Sequence, residues 1–326
     1  MFEEPERLRQ IIEQDVLAGQ PASLISIKER PAIPTIAPFR KPSGRFYRGS
    51  NRYRRSDMNP ANDGRFLNLL GCLGFLAQGL SAQCHFVPSG EGAVHIEFQS
   101  TEKRITPLFK AIPHRQCTRA EYDGTPLTPE ELHQLEMAGM GDGVRVLMLT
   151  SPPAMETVLD YVVQGNTAQF NNPAFMEELK YWIRFNDQEA IRTGDGLSGR
   201  ATGNPPIPRW LGALLSKVLF RVQPENEKIA RYIRSSSGIA VFVSEVDDPP
   251  HWVEAGRCYE RFALQATALG IRNAFINQPV EEVNLRPAFA RALGLTAGRP
   301  DLVVRFGRGA EMPRSLRRSL DAVIGG

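Results

Sequence analysis

Cysteine is scarce in this chain: four residues in 326, Cys72, Cys84, Cys117 and Cys258, with no CxxC pair among them. That spacing excludes the disulfide framework of a small secreted domain. The five histidines keep no ligand spacing relative to the thiols, so neither a structural zinc site nor any other metal is expected. Long hydrophobic runs are missing too. The most apolar long window, Phe66 to Ala82, is interrupted by Asn68 and Gln78, is short for a membrane span, and reads as a buried helix. A charge excess of one sign is absent: the net charge is +3, which alone implies no polyanionic partner. The opening residues, MFEEPERLRQ, are acidic and lack the apolar stretch of a secretory signal. A cytoplasmic protein with no membrane segment is therefore expected.

What is present fits an ordinary globular protein, with 42% hydrophobic and 23% charged residues in a chain long enough to bury a large core or two smaller ones. The positive charge is local. Arg40, Lys41, Arg45, Arg48, Arg52, Arg54 and Arg55 fall within sixteen residues that contain no acid, and without those seven the chain would be net acidic. They belong to an irregular stretch, 20–60, rich in Pro, Gly, Ser and Arg, which follows an amphipathic helix pattern over 5–18. Further on, two short strands, His85–Val87 and Ala93–Phe98, are expected around Pro88-Ser89-Gly90, closing a first unit near residue 105.

The remainder alternates helix and strand patterns. Thr128-Pro129-Glu130-Glu131 supplies an N-cap, a first-position proline and early acids for a helix to Ala138, and Val144–Leu149 reads as a strand. Helices are expected over 155–164, 173–185, 209–220, 225–233 and 252–269, and strands over 239–243, 271–276 and 301–306. A helix over 281–293 separates the last two strands, and the loose stretch 186–208 has the length and irregularity of a segment that covers a site. This layout is α+β, with a mixed or antiparallel sheet flanked by helices.

Three pieces could carry chemistry. Arg115-Gln116-Cys117-Thr118-Arg119, if extended, points Arg115, Cys117 and Arg119 to one side, and the guanidinium fork suits phosphate. The same segment could equally be a solvated loop. Arg314, Arg317 and Arg318 repeat that chemistry near the C-terminus, where a basic helix end explains them as well. The turn Ile276 to Glu282 offers backbone N–H groups at a helix start, although Pro279, Glu281 and Glu282 are also simply good first-turn residues.

Taken together these pieces match a family pattern: Arg115-x-Cys117-x-Arg119 with Tyr122-Asp123; Gly256-Arg257-x-x-Glu260-Arg261 leading to Gly270; Asn277-Gln278-Pro279-Val280-Glu281; Arg299-Pro300-x-Leu302-Val303-Val304-Arg305-x-Gly307; and Met312-Pro313-x-Ser315-x-Arg317-Arg318. Trp182 to Asn186, Asp195-Gly196-Leu197 and Gly203-Asn204-Pro205 extend it. With these motifs the chain resembles the FMN-dependent nitroreductase superfamily, and within it the Acg-like subgroup, over about residues 60 to 326. The resemblance implies a nitroreductase-like fold with an internal pseudo-dimer: a degenerate half, 1–105, and a flavin-binding half, 106–326, with a lid at 186–208.

By the same resemblance FMN is the cofactor, held by Arg115, Cys117 and Arg119, by Pro279, Val280 and Glu281 along the ring, and by Arg317 with Arg318 at the phosphate. Cys117 stands where the family has Ser or Thr. NAD(P)H would deliver hydride to the flavin N5 for transfer to a quinone, nitro or other electrophilic acceptor. No essential side-chain acid or base is expected; Arg119 would act as the electrostatic stabiliser of the reduced ring. The family's Ala-Pro-Ser segment is not reproduced at Leu17 to Ser23, and no Trp precedes Trp182. The chain is expected to be a monomer with a pseudo-dimeric interior or a homodimer. An alternative is a flavin-sequestering protein with little turnover. A further one is nucleic-acid binding through Arg40 to Arg55, where Phe46, Tyr47 and Tyr53 interleave with the arginines but no recognised nucleic-acid motif accompanies them.

Overall fold

Residues 73–87, 93–202, 207–208 and 221–314 are described by the computed structural model. The basic stretch 20–60, the patterns at 5–18 and 209–220, the turn Pro88 to Gly90, and Arg317 with Arg318 lie outside the described residues. The chain divides into two compact units, 1–110 and 111–326.

In the first unit, β1 (Leu80–Val87) and β2 (Ala93–Ser100) pair antiparallel, from Leu80 opposite Ser100 to Val87 opposite Ala93. Within the window expected as one helix to Ala82, the described residues begin at 73, and these are helical over 73–78 and strand from Leu80 onward. Gly79, at φ +90°, turns the chain, and its N–H closes the helix on the Leu76 carbonyl at 3.1 Å. A continuous apolar run carries no period of its own, so the glycine, with its access to positive φ, decides where helix gives way to strand.

The second unit is built on a four-stranded antiparallel sheet in the order β3 (Val144–Leu149), β6 (Gly238–Ser244), β8 (Arg299–Gly307), β7 (Arg272–Phe275). All seven residues of β6 are buried, which is why Gly-Ile-Ala-Val-Phe-Val-Ser shows no polar alternation. The β6–β8 register slips between Phe242 and Val243, where Asp301 becomes the extra residue and Pro300 enters the strand, the usual place for a residue with no N–H to give the ladder.

One face of the sheet carries α6 (Pro249–Ala268), begun by the Asp248 side chain accepting from the His251 N–H at 3.0 Å. Phe262 of α6 meets Phe242 and Phe306 at centroid distances of 5.6 and 6.0 Å. Its polar stripe turns the other way: Arg261 donates to the carbonyl of Ala138, and Gln265 to Gln134, both on α1 (Pro129–Gly139). The capping box legible at Thr128 and Glu131 starts that helix.

The opposite face packs α2 (Pro152–Phe170) and α5 (Val222–Arg234) on Ile239, Val241 and Val303, with Val158, Val162 and Ile233 fully buried between them. Between α2 and α5 run α3 (Pro173–Trp182), β4 (Ile183–Arg184), α4 (Asp187–Thr193) and β5 (Leu197–Ser198). The helix expected over 281–293 is instead two short ones, α7 (Gln278–Glu281) and α8 (Arg286–Ala292). Pro287 cannot supply the N–H that would continue α7 into α8, and Arg286 donates through Nε to the Val280 carbonyl at 2.7 Å, closing the first helix.

Candidate functional site

Within the second unit a cavity of about 390 Å³ opens where β7 ends, inside the range of roughly 300–1,000 Å³ usual for ligand pockets. Its floor is Ala274, Phe275 and Ile276 with Gln278; α2 contributes Asn166, Gln169 and Phe170, and α5 contributes Lys228 and Tyr232. Arg119 supplies exposed charge at its edge, and Arg305, 2% exposed, lies in the wall behind it with its guanidinium turned to backbone carbonyls.

Arg119 arrives there because its segment is stitched to β7. Cys117 bridges Asn273, and the Thr118 N–H donates to the Asn273 carbonyl at 2.9 Å. Thr118 is wholly buried while Arg119 is exposed on the cavity side. The other two members of the expected trio go elsewhere. Arg115 places its Nε 3.4 Å from the buried carboxylate of Glu260 on α6, and the Cys117 sulfur lies 3.9 Å from the Tyr259 hydroxyl. The segment is bridged only at Cys117 and follows a 3₁₀ turn, Ile112–His114, so the strict alternation of a strand does not hold through it. Arg115 and Arg119 therefore diverge.

In the 276–282 turn, Pro279 and Val280 are buried, while Ile276 and Gln278 line the cavity. Asn277 is not a side-chain cap: its Oδ1 accepts from the Val303 N–H at 2.8 Å and extends the sheet's hydrogen bonding past β7. Glu281 accepts from Gln169 Nε2 at 2.8 Å, tying the turn to α2. A Cβ at Gly165 would lie 2.7 Å from the Gln278 carbonyl oxygen, so only glycine allows this approach. Gly165→Ala gains about 1 kcal/mol of helix propensity but costs about 1–3 kcal/mol by overpacking a backbone that cannot swing aside. The expected outcome is a net loss of stability in urea unfolding; a variant at least as stable as the parent would mean that the turn yields freely.

The stretch 186–208 contributes Leu197, Gly199 and Ile207 to the cavity wall. It is pinned by the motifs that bound it: Arg184 pairs with Asp195 at 2.6 Å, and the Ile207 N–H donates to the Phe185 carbonyl at 3.1 Å.

Arg305 stands in the family pattern Arg299 to Gly307, which assigns it no place in the site. It is 2% exposed, its guanidinium carbon lies 4.2 Å from the Tyr122 ring centroid and 4.9 Å from that of Tyr232, and burial lowers its pKa. The signal was an arginine inside the apolar run Leu302 to Phe306, since arginine is rarely buried without a purpose. Asn166 and Gln169, buried polar residues three apart on α2, are a similar signal. Gln278 Oε1 is buried with no hydrogen-bond partner among the described residues, and a buried acceptor left open is costly unless a ligand satisfies it.

No family model matches the chain. Similarity comes from individual proteins. The chain is similar to two Mycobacterium tuberculosis sequences provisionally named NAD(P)H nitroreductases. Each is 24% identical over 223 residues, covering 67% of this chain, which spans 61% of the relatives' length. Among solved structures, an FMN-bound nitroreductase of Desulfitobacterium hafniense superposes with a TM-score of 0.43 at 13% identity, over 68% of this chain and 99% of that one. A Mycobacterium smegmatis FMN-dependent nitroreductase in complex with NADPH gives a TM-score of 0.42 at 13% identity, over 66% and 96%. Among the described residues no His, Cys, Asp or Glu cluster could hold a metal, and no helix is long and apolar enough to cross a membrane.

Proposed function

We propose that the cavity is the ring side of an FMN site and that the chain is a nitroreductase-like NAD(P)H oxidoreductase. The observation that carries this reading is the meeting of Arg119 and Gln278 at one cavity, since they come from the two separate segments that resemble flavin-binding motifs. The donor set fits a planar heteroaromatic ring: a cation, an open amide acceptor at Gln278, further amides at Asn166 and Gln169, and the aromatic walls Phe170, Phe175 and Phe275. The Mycobacterium tuberculosis relatives support the same activity. When bound, FMN would supply two-electron transfer between a nicotinamide and an electrophilic acceptor of the quinone or nitro class.

The chain's own residues would position and tune. Arg119 would offset negative charge at the ring edge, Gln278 would accept a ring N–H, and the apolar wall would keep water out. Arg317 and Arg318 are the proposed phosphate partners, and Cys117, Pro279, Val280 and Glu281 would shape the backbone about the ring. Arg115 would join them only by leaving Glu260. In this reading 1–105 is a degenerate nitroreductase-like half and 106–326 the flavin-binding half, in a monomer with an internal pseudo-dimer or in a homodimer.

A second reading, flavin sequestration, is favoured by the pinned 186–208 stretch, whose Leu197, Gly199 and Ile207 form part of the wall. The visible spectrum of the purified protein before and after anaerobic NADPH distinguishes the two. Absorption near about 450 nm that bleaches is expected of the reductase. Absorption that persists selects sequestration, and a protein that neither carries nor binds FMN overturns both.

A further inference from the structure

We infer that Arg305 is a positioning residue for Arg119, an inference that rests on the reading of the cavity as a flavin site. Arg305 Nη2 donates to the carbonyls of Thr118, at 3.2 Å, and Ala120, at 2.8 Å, the two residues on either side of Arg119. Its Nη1 donates to the Tyr232 carbonyl at 3.2 Å and reaches Ser236 Oγ at 3.5 Å. The Thr118 carbonyl also accepts from the Tyr122 hydroxyl at 3.1 Å, and the Thr118 N–H is held by Asn273. Arg119 thus stands between two peptide groups whose carbonyls are fixed by one guanidinium, and its backbone can turn little without breaking those bonds. Its side chain is directed from this frame to the cavity edge.

Stability alone does not account for an arginine here. Burial opposes its charge, no carboxylate is among its hydrogen-bond partners in the described residues, and carbonyl dipoles and two tyrosine faces disperse the charge instead. An apolar side chain of similar volume would fill the same core without that desolvation. What only a planar group with several donors provides is the simultaneous grip on Thr118 and Ala120.

The test is a double-mutant cycle on the full chain with Arg305→Gln and Arg119→Ala, FMN affinity being read by fluorescence titration and backbone order by amide hydrogen exchange. Arg305→Gln is expected to weaken FMN roughly tenfold in the parent and to add nothing in the Arg119→Ala background, because both changes remove one interaction. Without ligand, exchange in a peptide spanning 115–122 should rise while that of β6 stays unchanged. Arg305→Lys, which can still donate to one carbonyl, should recover part of both effects and serves where the Gln variant does not fold. Multiplicative losses in the cycle, or exchange rising equally in β6, would overturn the inference. A parent that binds no FMN overturns the functional reading instead, and the exchange comparison still decides whether the clamp exists.

Discussion

Arg119→Ala should reduce FMN affinity by about 10- to 100-fold, the range expected when charge-assisted hydrogen bonds worth about 1.5–3 kcal/mol are lost. The argument is geometric first. Arg119 is the member of the Arg115, Cys117 and Arg119 set that borders the cavity, and its side chain is exposed there, whereas Arg115 faces Glu260. Lys228 also lines the cavity, but its ammonium is 3.8 Å from Glu225 and cannot replace a guanidinium fork. Arg119→Lys, which keeps the charge and loses the fork, should fall between parent and alanine variant. Flavin content after purification, the dissociation constant of added FMN and the NADPH-dependent reductase rate are the measurements. Unchanged retention and rate in Arg119→Ala would remove the residue from the site.

Glu260→Gln should raise stability at alkaline pH and leave it nearly unchanged at acid pH. Glu260 is wholly buried on α6, neither carboxylate oxygen has a hydrogen-bond donor among the described residues, and Arg115 places its Nε 3.4 Å away. Burial therefore pushes the carboxyl up from 4.5 to about 7, with Arg115 opposing the rise. The folded pKa lies above the unfolded one, so between those values the native state holds the extra proton. The favourable contribution is complete below pH 4.5 and is lost as pH rises through about 7. Over that window the parent should lose about 3 kcal/mol relative to a glutamine variant, which has no carboxyl to ionise. Arg115, with 21% of its side chain exposed, can be hydrated when its partner is neutral, so the variant does not strand a buried cation. Urea unfolding of both proteins at pH 5 and pH 8 gives the difference directly. A constant difference, or a variant less stable at pH 8, would mean that ion pairing with Arg115 outweighs desolvation.

The elements of the second unit were largely legible in the sequence, since the signals that make them are local. The strand Val144–Leu149 has the bounds its apolar pattern gives, the N-terminal cap at Thr128 works as its residues suggest, and the long helix expected over 252–269 is present, started by Asp248. Gly270 and Gly294, both at positive φ, stand just past the ends of α6 and α8, where glycine is a local stop signal. Where local signals conflict or are silent, the reading went astray: an apolar run without a period hid the helix-to-strand change at Gly79, and Pro287 divided a pattern that looked continuous.

The site was legible only as fragments. The sequence by itself determined which residue types were on hand: two arginines around Cys117, a Gln-Pro turn at 278–279, and an arginine within an apolar strand. Tertiary structure alone decided that Arg119 and Gln278 share a cavity, that Arg115 turns to Glu260, and that Arg305 reaches across 187 positions to hold the Thr118 carbonyl. Backbone hydrogen bonding and side-chain periodicity act within a few residues and fix the elements. The convergence of side chains depends on how those elements pack, and spacing along the chain carries no measure of that.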